Sequence, residues 1–171
     1  MQHCGEVILS MITSLAELVE KHGGMRIVLS VGCFDLLHVG HINHLSQAKA
    51  MGDILVVGVT GDRHIEKGPG RPLFPEYQRA ILLDALKFVD YVIIMDSSSA
   101  VELIQTLRPS VYVKGPDYAA GEDHAGNLDT ERRAVEAIGG CLRFTNGAKQ
   151  SSTELIDRIG LTTNSQFPYY I

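Results

Sequence analysis

Only three cysteines occur in the 171 residues, Cys4, Cys33 and Cys141. Odd in number and far apart, they have neither the spacing of a metal site nor that of a disulfide framework, which points to a reducing cytoplasm. No run of lysine or arginine is present and the formal net charge is −5, so a nucleic-acid partner is not expected. A polyanionic ligand stays open, because local fields outweigh net charge at a cleft. No apolar stretch is long enough to span a bilayer. The opening run Val7-Ile8-Leu9-Ser10-Met11-Ile12 is short and has no basic segment before it, so no signal peptide and no membrane partner are expected. Repeats and low-complexity segments are also missing. What remains is an ordinary globular composition, 45% hydrophobic, in a length suited to one well-filled domain.

The expected domain spans residues 1–171, with an N-terminal helix at 13–23, a core at 25–160 and a tail at 161–171. Thr13–His22 has helical periodicity, and Gly23-Gly24 ends it. Strands and helices then alternate. Strands are expected at Arg26–Val31, Ile54–Val59, Tyr91–Met95, Val111–Val113 and Cys141–Thr145. Helices are expected at Gly40–Ala50, Glu76–Leu86, Ala100–Leu107 (capped by Ser98 or Ser99), about Asp129–Ile138, and from Ser152 through Ile159. Arg108-Pro109 and Gly139-Gly140 act as stops. Thr60–Pro75 and Gly115–Gly126 read as loops. This alternation predicts an α/β fold, a Rossmann-like, doubly wound, five-stranded parallel sheet with helices on both faces and right-handed crossovers.

The segment Gly32-Cys33-Phe34-Asp35-Leu36-Leu37-His38-Val39-Gly40-His41 joins the first strand to its helix. Open α/β sheets bind phosphates at such a junction. His38 and His41, three apart, face the same side of the first helical turn. Gly40 lets a ligand approach the backbone, and free N–H groups with the positive end of the helix dipole point to the same place. The arrangement suits a triphosphate, whose transition state imidazoles can stabilise through hydrogen bonds. Asp35 can orient a histidine or a substrate hydroxyl, or cap the turn.

Gly-x-Phe-Asp-x-x-His-x-Gly-His resembles the signature of the cytidylyltransferase-like nucleotidyltransferases. These include glycerol-3-phosphate cytidylyltransferase and the adenylyltransferase half of the bifunctional heptose-phosphate kinase/adenylyltransferase. Lys67-Gly68 with Arg71-Pro72, then Glu76, Gln78-Arg79 and Val89-Asp90-Tyr91-Val92, is similar to the middle of the heptose enzyme. So is Pro109 followed by Val113-Lys114-Gly115-Pro116-Asp117-Tyr118, and Ser151-Ser152-Thr153 stands where the family starts a helix with Ser-Thr-Thr. The resemblance covers about Arg26 to Ile159. It implies that a phosphate oxygen of the acceptor attacks the α-phosphate of a nucleoside triphosphate and that pyrophosphate leaves. His38, His41 and Lys67 are then the catalytic candidates. Gly32, Cys33, Phe34, Asp35, Gly40, Lys114, Gly115, Asp117, Ser151, Ser152 and Thr153 are candidates for the nucleotide, and Thr60, Asp62, Arg71 and Arg79 for the acceptor, with Arg79 equally open to a buried structural role.

The implied partners are a nucleoside triphosphate and a phosphorylated sugar or polyol, with Mg²⁺ arriving on the triphosphate and not on a protein ligand cluster. A homodimer is expected from the resemblance. Departures from the family, Pro116 in place of glycine, Ser152 in place of threonine, and Asn146–Gln150 with only Lys149 near the place of an arginine, bear on base and sugar choice. Three other readings compete. A metal enzyme using His38, His41 and His44 is disfavoured because that spacing rotates along a helix and no His-Glu-x-x-His motif is present. A non-catalytic nucleotide-binding module is disfavoured by the His pair and Lys67. A fragment of a class I aminoacyl-tRNA synthetase is disfavoured by the acidic composition.

Overall fold

The computed structural model of the chain describes residues 15–121, 123, 126–147 and 152–158. Five strands, β1 (Ile27–Gly32), β2 (Ile54–Thr60), β3 (Tyr91–Met95), β4 (Val111–Lys114) and β5 (Cys141–Phe144), make one sheet. Every pairing is parallel and the order is β3-β2-β1-β4-β5. The helices are α1 (Leu15–Lys21), α2 (Val39–Lys49), α3 (Glu76–Asp84), α4 (Val101–Leu107), α5 (Pro116–Ala119), α6 (Leu128–Ala137) and α7 (Ser152–Arg158).

The central strands are continuous apolar runs because both faces are covered, and successive side chains enter opposite cores. Ile27, Leu29, Ile54, Val56 and Tyr112 meet Leu18 of α1, Leu103, Ile104 and Leu107 of α4, and Val135 of α6. Val28, Leu55, Val57, Val111 and Val113 meet Leu45 and Ala48 of α2 and Ala80 and Leu83 of α3. The doubly wound sheet expected from the alternation is therefore present. Among the described residues, no helix is long and apolar enough to cross a membrane.

Strand β3 has its expected ends, and most other elements shift by a residue or two, as helix and strand ends do. Arg108 (φ 52°) and Gly139 (φ 83°) leave α4 and α6 in the left-handed region, which terminates both helices where expected. Three local expectations are corrected. Residues 116–119, read as loop, form a helical turn, since Pro116 suits a first helical position where no N–H is needed. Asp62–His64 form one 3-10 turn inside the expected loop. Ala100, not Ser98 or Ser99, occupies the N-cap of α4 and its N–H donates to Glu131 Oε1 at 2.9 Å, while Ser99 still serves the helix start, its Oγ accepting the Val101 N–H at 3.4 Å. Cys4, the opening apolar run, residues 13–14, Lys149, Ser151, Ile159 and the tail at 161–171 lie outside the described residues.

From β1 the chain runs to β2 and β3 on one side, then crosses back to β4 and β5 on the other. The segments leaving β1 and β4 therefore part company, which opens a crevice at their carboxyl ends.

Candidate active site

The β1 exit is built from strained and buried parts. Phe34 has φ 48°, a region uncommon for a bulky side chain. Its ring is buried at 5% exposure and meets the edge of the His41 ring at 5.3 Å between centroids. The turn at Phe34 sends Asp35 inward, where its carboxylate accepts from Arg71 Nε (2.6 Å), Leu73 N (2.7 Å) and Phe74 N (3.2 Å). Asp35 borders the cleft, but these bonds make it the anchor of the 71–74 loop. They correct the idea that it orients a histidine.

His38 is the N-cap of α2, and its Nδ1 accepts the Gly40 N–H at 3.1 Å. An acceptor Nδ1 places the proton on Nε2, and that Nε2 is buried with no partner. The His41 ring stacks on that of His38, with 3.8 Å between centroids and 20° between planes. His41 Nδ1 is likewise buried and unpartnered. The expected same-side placement is thus observed as a stacked pair. Buried polar atoms without partners are rare and call for an explanation.

The pair lies in a cleft of about 630 Å³ at the sheet's reversal point. Gly32, Cys33, Gly40, Gly115, Asp117 and Lys67 line it, as do Ser152 and Thr153 from α7. Lys67 is exposed, ahead of two glycines, Gly68 and Gly70, with positive φ. The Asp117 carboxylate sits over Gly115, where a Cβ would push it aside. The Ser152 hydroxyl donates to Leu36 O at 3.0 Å, which pins the start of α7 to the segment before His38.

Other candidates lie elsewhere. Arg79 is fully buried and donates to Phe74 O, Cys33 O, Thr60 O and Asp62 Oδ1. It does not border the cleft, and Thr60 and Asp62, also outside it, are its partners. Arg79 thus takes the buried structural role that stood open beside an acceptor contact, and Thr60 and Asp62, expected near the acceptor, serve that arginine and do not line the cleft. Arg71 is held by Asp35, with Nη1 3.4 Å from Thr153 Oγ1 and Nη2 buried without a partner. Lys114 is also buried. Its ammonium lies 3.1 Å from Glu131 Oε2 and 4.7 Å from the centre of the Tyr118 ring, so it supports the wall carrying Tyr118 and does not itself border the cleft.

Reading the sequence alone misses Glu131, Tyr118, Thr145 and Asn146. Glu131 is 2% exposed, taking Tyr112 OH at 2.7 Å and Lys114 Nζ. In Leu-Asp-Thr-Glu-Arg-Arg it looks like one more charge on a solvated helix face, and only the lone lysine ending the apolar run of β4 hints that a buried partner is needed.

Burial holds the histidines neutral. It pushes His41 down to about 3, with the His38, His44 and Lys67 charges acting in the same direction. His44 is pushed down to about 4 by burial and then by Lys114, and His38 is lowered by burial and Lys67. Burial also raises the Cys33 thiol, against the pull of Lys67. Below the unfolded value near 6.5 the unfolded chain binds protons that the folded chain refuses, so stability falls as pH drops from about 6.5 toward 4. His41 and His44 should each contribute roughly 1.4 kcal/mol per pH unit in that window. Urea unfolding at pH 7.5, 6 and 5 checks this, and equal stability at pH 7.5 and 5 would refute it.

Among the described residues, no three His, Cys, Asp or Glu side chains are grouped to hold a metal ion. Both nitrogens of His44 face hydroxyls, Ser30 Oγ and Thr145 Oγ1. The donor set suits a ligand that brings its own oxygens and charge, and with it any cation.

An open parallel sheet whose reversal-point cleft receives a His-x-Gly-His helix start has the build of an α/β nucleotidyltransferase, an enzyme. The profile of the cytidylyltransferase-like family matches residues 29–158, and the chain belongs to that family. It is 43% identical over 144 residues to the bifunctional protein HldE of Syntrophotalea carbinolica, covering 82% of this chain and 28% of that protein. It is 39% identical over 157 residues to the bifunctional protein HldE of Helicobacter pylori strain G27, covering 90% and 32%. The chain thus spans about a third or less of the length of these relatives. Among solved structures, a lipopolysaccharide core biosynthesis protein from Thermoplasma volcanium superposes with TM-score 0.58 at 28% identity, over 75% of this chain and all of that one. Pantoate-beta-alanine ligase from Francisella tularensis shares the fold alone, with TM-score 0.53 at 14% identity over 81% and 66%.

Proposed function

We propose that the chain transfers a nucleoside monophosphate from ATP or CTP to a sugar phosphate, heptose 1-phosphate being the leading acceptor. The observation that carries this reading is the stacked His38–His41 pair, with buried unpartnered nitrogens at the reversal-point cleft. An acceptor phosphate oxygen attacks the α-phosphorus in line. The bond from that phosphorus to the oxygen bridging to the β-phosphate breaks, and pyrophosphate leaves with its electron pair. The product is a nucleoside diphosphate sugar.

The chain's part is to position groups and neutralise charge. His38 Nε2–H and the His41 ring supply hydrogen bonds to the α-phosphate as its oxygens gain charge. Being neutral, they do so without a proton changing hands. Lys67, on its glycine-flanked loop, reaches phosphate oxygens from solvent, while Thr153 and the Gly115–Asp117 turn border the nucleotide. Mg²⁺ arriving with the triphosphate would add further neutralisation of its charge. Such chemistry belongs in the cytoplasm, where nucleoside triphosphates are abundant.

The sugar assignment is supported by the resemblance of Lys67–Arg79 and Val113–Tyr118 to the heptose enzyme and by likeness to a lipopolysaccharide core biosynthesis protein. Glycerol phosphate or another polyol phosphate is the second choice. The protein incubated with ATP, CTP, GTP or UTP against a panel of sugar and polyol phosphates should release pyrophosphate with ATP or CTP and a sugar 1-phosphate. Release with polyol phosphates alone would overturn the acceptor, and no release with any pair would overturn the reaction.

A further inference from the structure

Helix α2 carries a polar row that continues past the catalytic candidates, since His38, His41, His44 and Gln47 recur every three residues. The last two join α2 to β1 and to the exit of β5. His44 Nε2 lies 2.8 Å from Ser30 Oγ of β1, and its Nδ1 lies 2.8 Å from Thr145 Oγ1, just beyond β5. Gln47 Nε2 donates to Asn146 O at 2.8 Å, while its Oε1 accepts the Asn146 N–H at 2.9 Å. The side-chain amide thus acts as a strand partner would, taking both backbone groups of one residue. The Thr145 N–H donates to Lys114 O at 3.1 Å and so extends the β4–β5 pairing by one step.

We propose that His44 and Gln47 form a clasp through which α2 fixes the β5 exit as the nucleotide-side wall of the cleft, making them positioning residues for the triphosphate and not for the acceptor. Resting on the nucleotidyl-transfer reading, this deepens it by separating the two substrates. Thr145, Asn146 and Gly147 border the cleft together with the β4 exit. Strand β5 lies beyond β4, on the opposite side of β1 from β2, whose exit leads to Lys67 and Arg71. The next described residues after Gly147 are those of α7, which returns Ser152 and Thr153 to the same cleft. Packing does not account for the clasp, since Leu45 and Ala48 already seat α2 in the core. Burial keeps the His44 ring neutral, with a pKa pushed down to about 4, so one ring nitrogen donates while the other accepts.

Calorimetric titration of the full chain with ATP or CTP, each with Mg²⁺, tests the clasp. Gln47→Ala should weaken binding of the nucleotide that the wild type takes by about tenfold, as expected when the unfastened wall is in place in only about a tenth of the molecules. It should raise the KM for that nucleotide and leave the acceptor KM unchanged. His44→Phe should act in the same direction, and Gln47→Ala decides the matter if that variant does not fold. Unchanged nucleotide affinity in Gln47→Ala, or an equal rise in both KM values, overturns the proposal. So does a wild-type chain that binds neither nucleotide. Weakened nucleotide binding in a chain whose wild type releases no pyrophosphate upholds the clasp and removes only the proposed reaction.

Discussion

Replacing His41 by alanine should slow pyrophosphate release by about 10²–10³-fold, the cost of removing one preorganised donor from a site of developing charge, with no loss of thermal stability. The two halves of this expectation have one origin. His41 Nδ1 is buried and lacks a partner, and its ring is held between His38 and Phe34. A folded chain gains nothing from a desolvated ring nitrogen that no neighbour satisfies, so its removal relieves a cost. A ligand placing a phosphate oxygen there gains a hydrogen bond from a group already desolvated and oriented. Function and stability therefore pull apart at this residue, as they do where a site is kept ready at the expense of the fold. His38 is the less clean probe, since its Nδ1 also caps α2, and losing a cap costs about 1 kcal/mol by itself. Pyrophosphate release by His41→Ala within about threefold of wild type would remove the histidine from the chemistry. A large fall in melting temperature would mean that it was structural.

What could be read in the sequence followed local rules. Tyr91–Met95 is a short apolar run between turn residues and is a strand with those ends. His38 precedes a glycine and a second histidine, and is the N-cap with its ring on its neighbour. What could not be read depended on partners far along the chain. Asp35 meets residues 36 to 39 positions away. Lys114 needs Glu131, and His44, one of three regularly spaced histidines, needs Thr145, 101 positions on. Pattern locates the site because the β1–α2 junction is continuous in sequence. It leaves charged residues such as Arg79 undecided, because whether a charge faces ligand or protein is settled by tertiary packing.

Arg79 offers the second large effect. Replaced by methionine, it should cost about 3–5 kcal/mol of stability, the loss expected when three backbone carbonyls inside the fold lose their donor; the Asp62 carboxylate, partly exposed, adds less. Its guanidinium is fully buried and ties four places together. Nε donates to Phe74 O at 2.9 Å, Nη1 to Cys33 O, and Nη2 to Thr60 O at 2.8 Å and Asp62 Oδ1 at 2.7 Å. Asp62 and Glu76 already exchange bonds, each side chain accepting the other's backbone N–H, so the arginine fastens the β2 exit, the start of α3 and the β1 exit that leads to His38. Methionine fills similar space but leaves three carbonyls and a carboxylate unmatched. Lysine keeps the charge but lacks the planar fork, and should recover only part of the loss. For a chain of this size the melting temperature of Arg79→Met should fall by about 10 °C. Were Arg79 an acceptor ligand, Arg79→Lys would instead raise the acceptor KM at an unchanged melting temperature, and that result would reverse the assignment. A fall with both KM values intact in the surviving folded protein would make this arginine the keystone on which the catalytic segment is set.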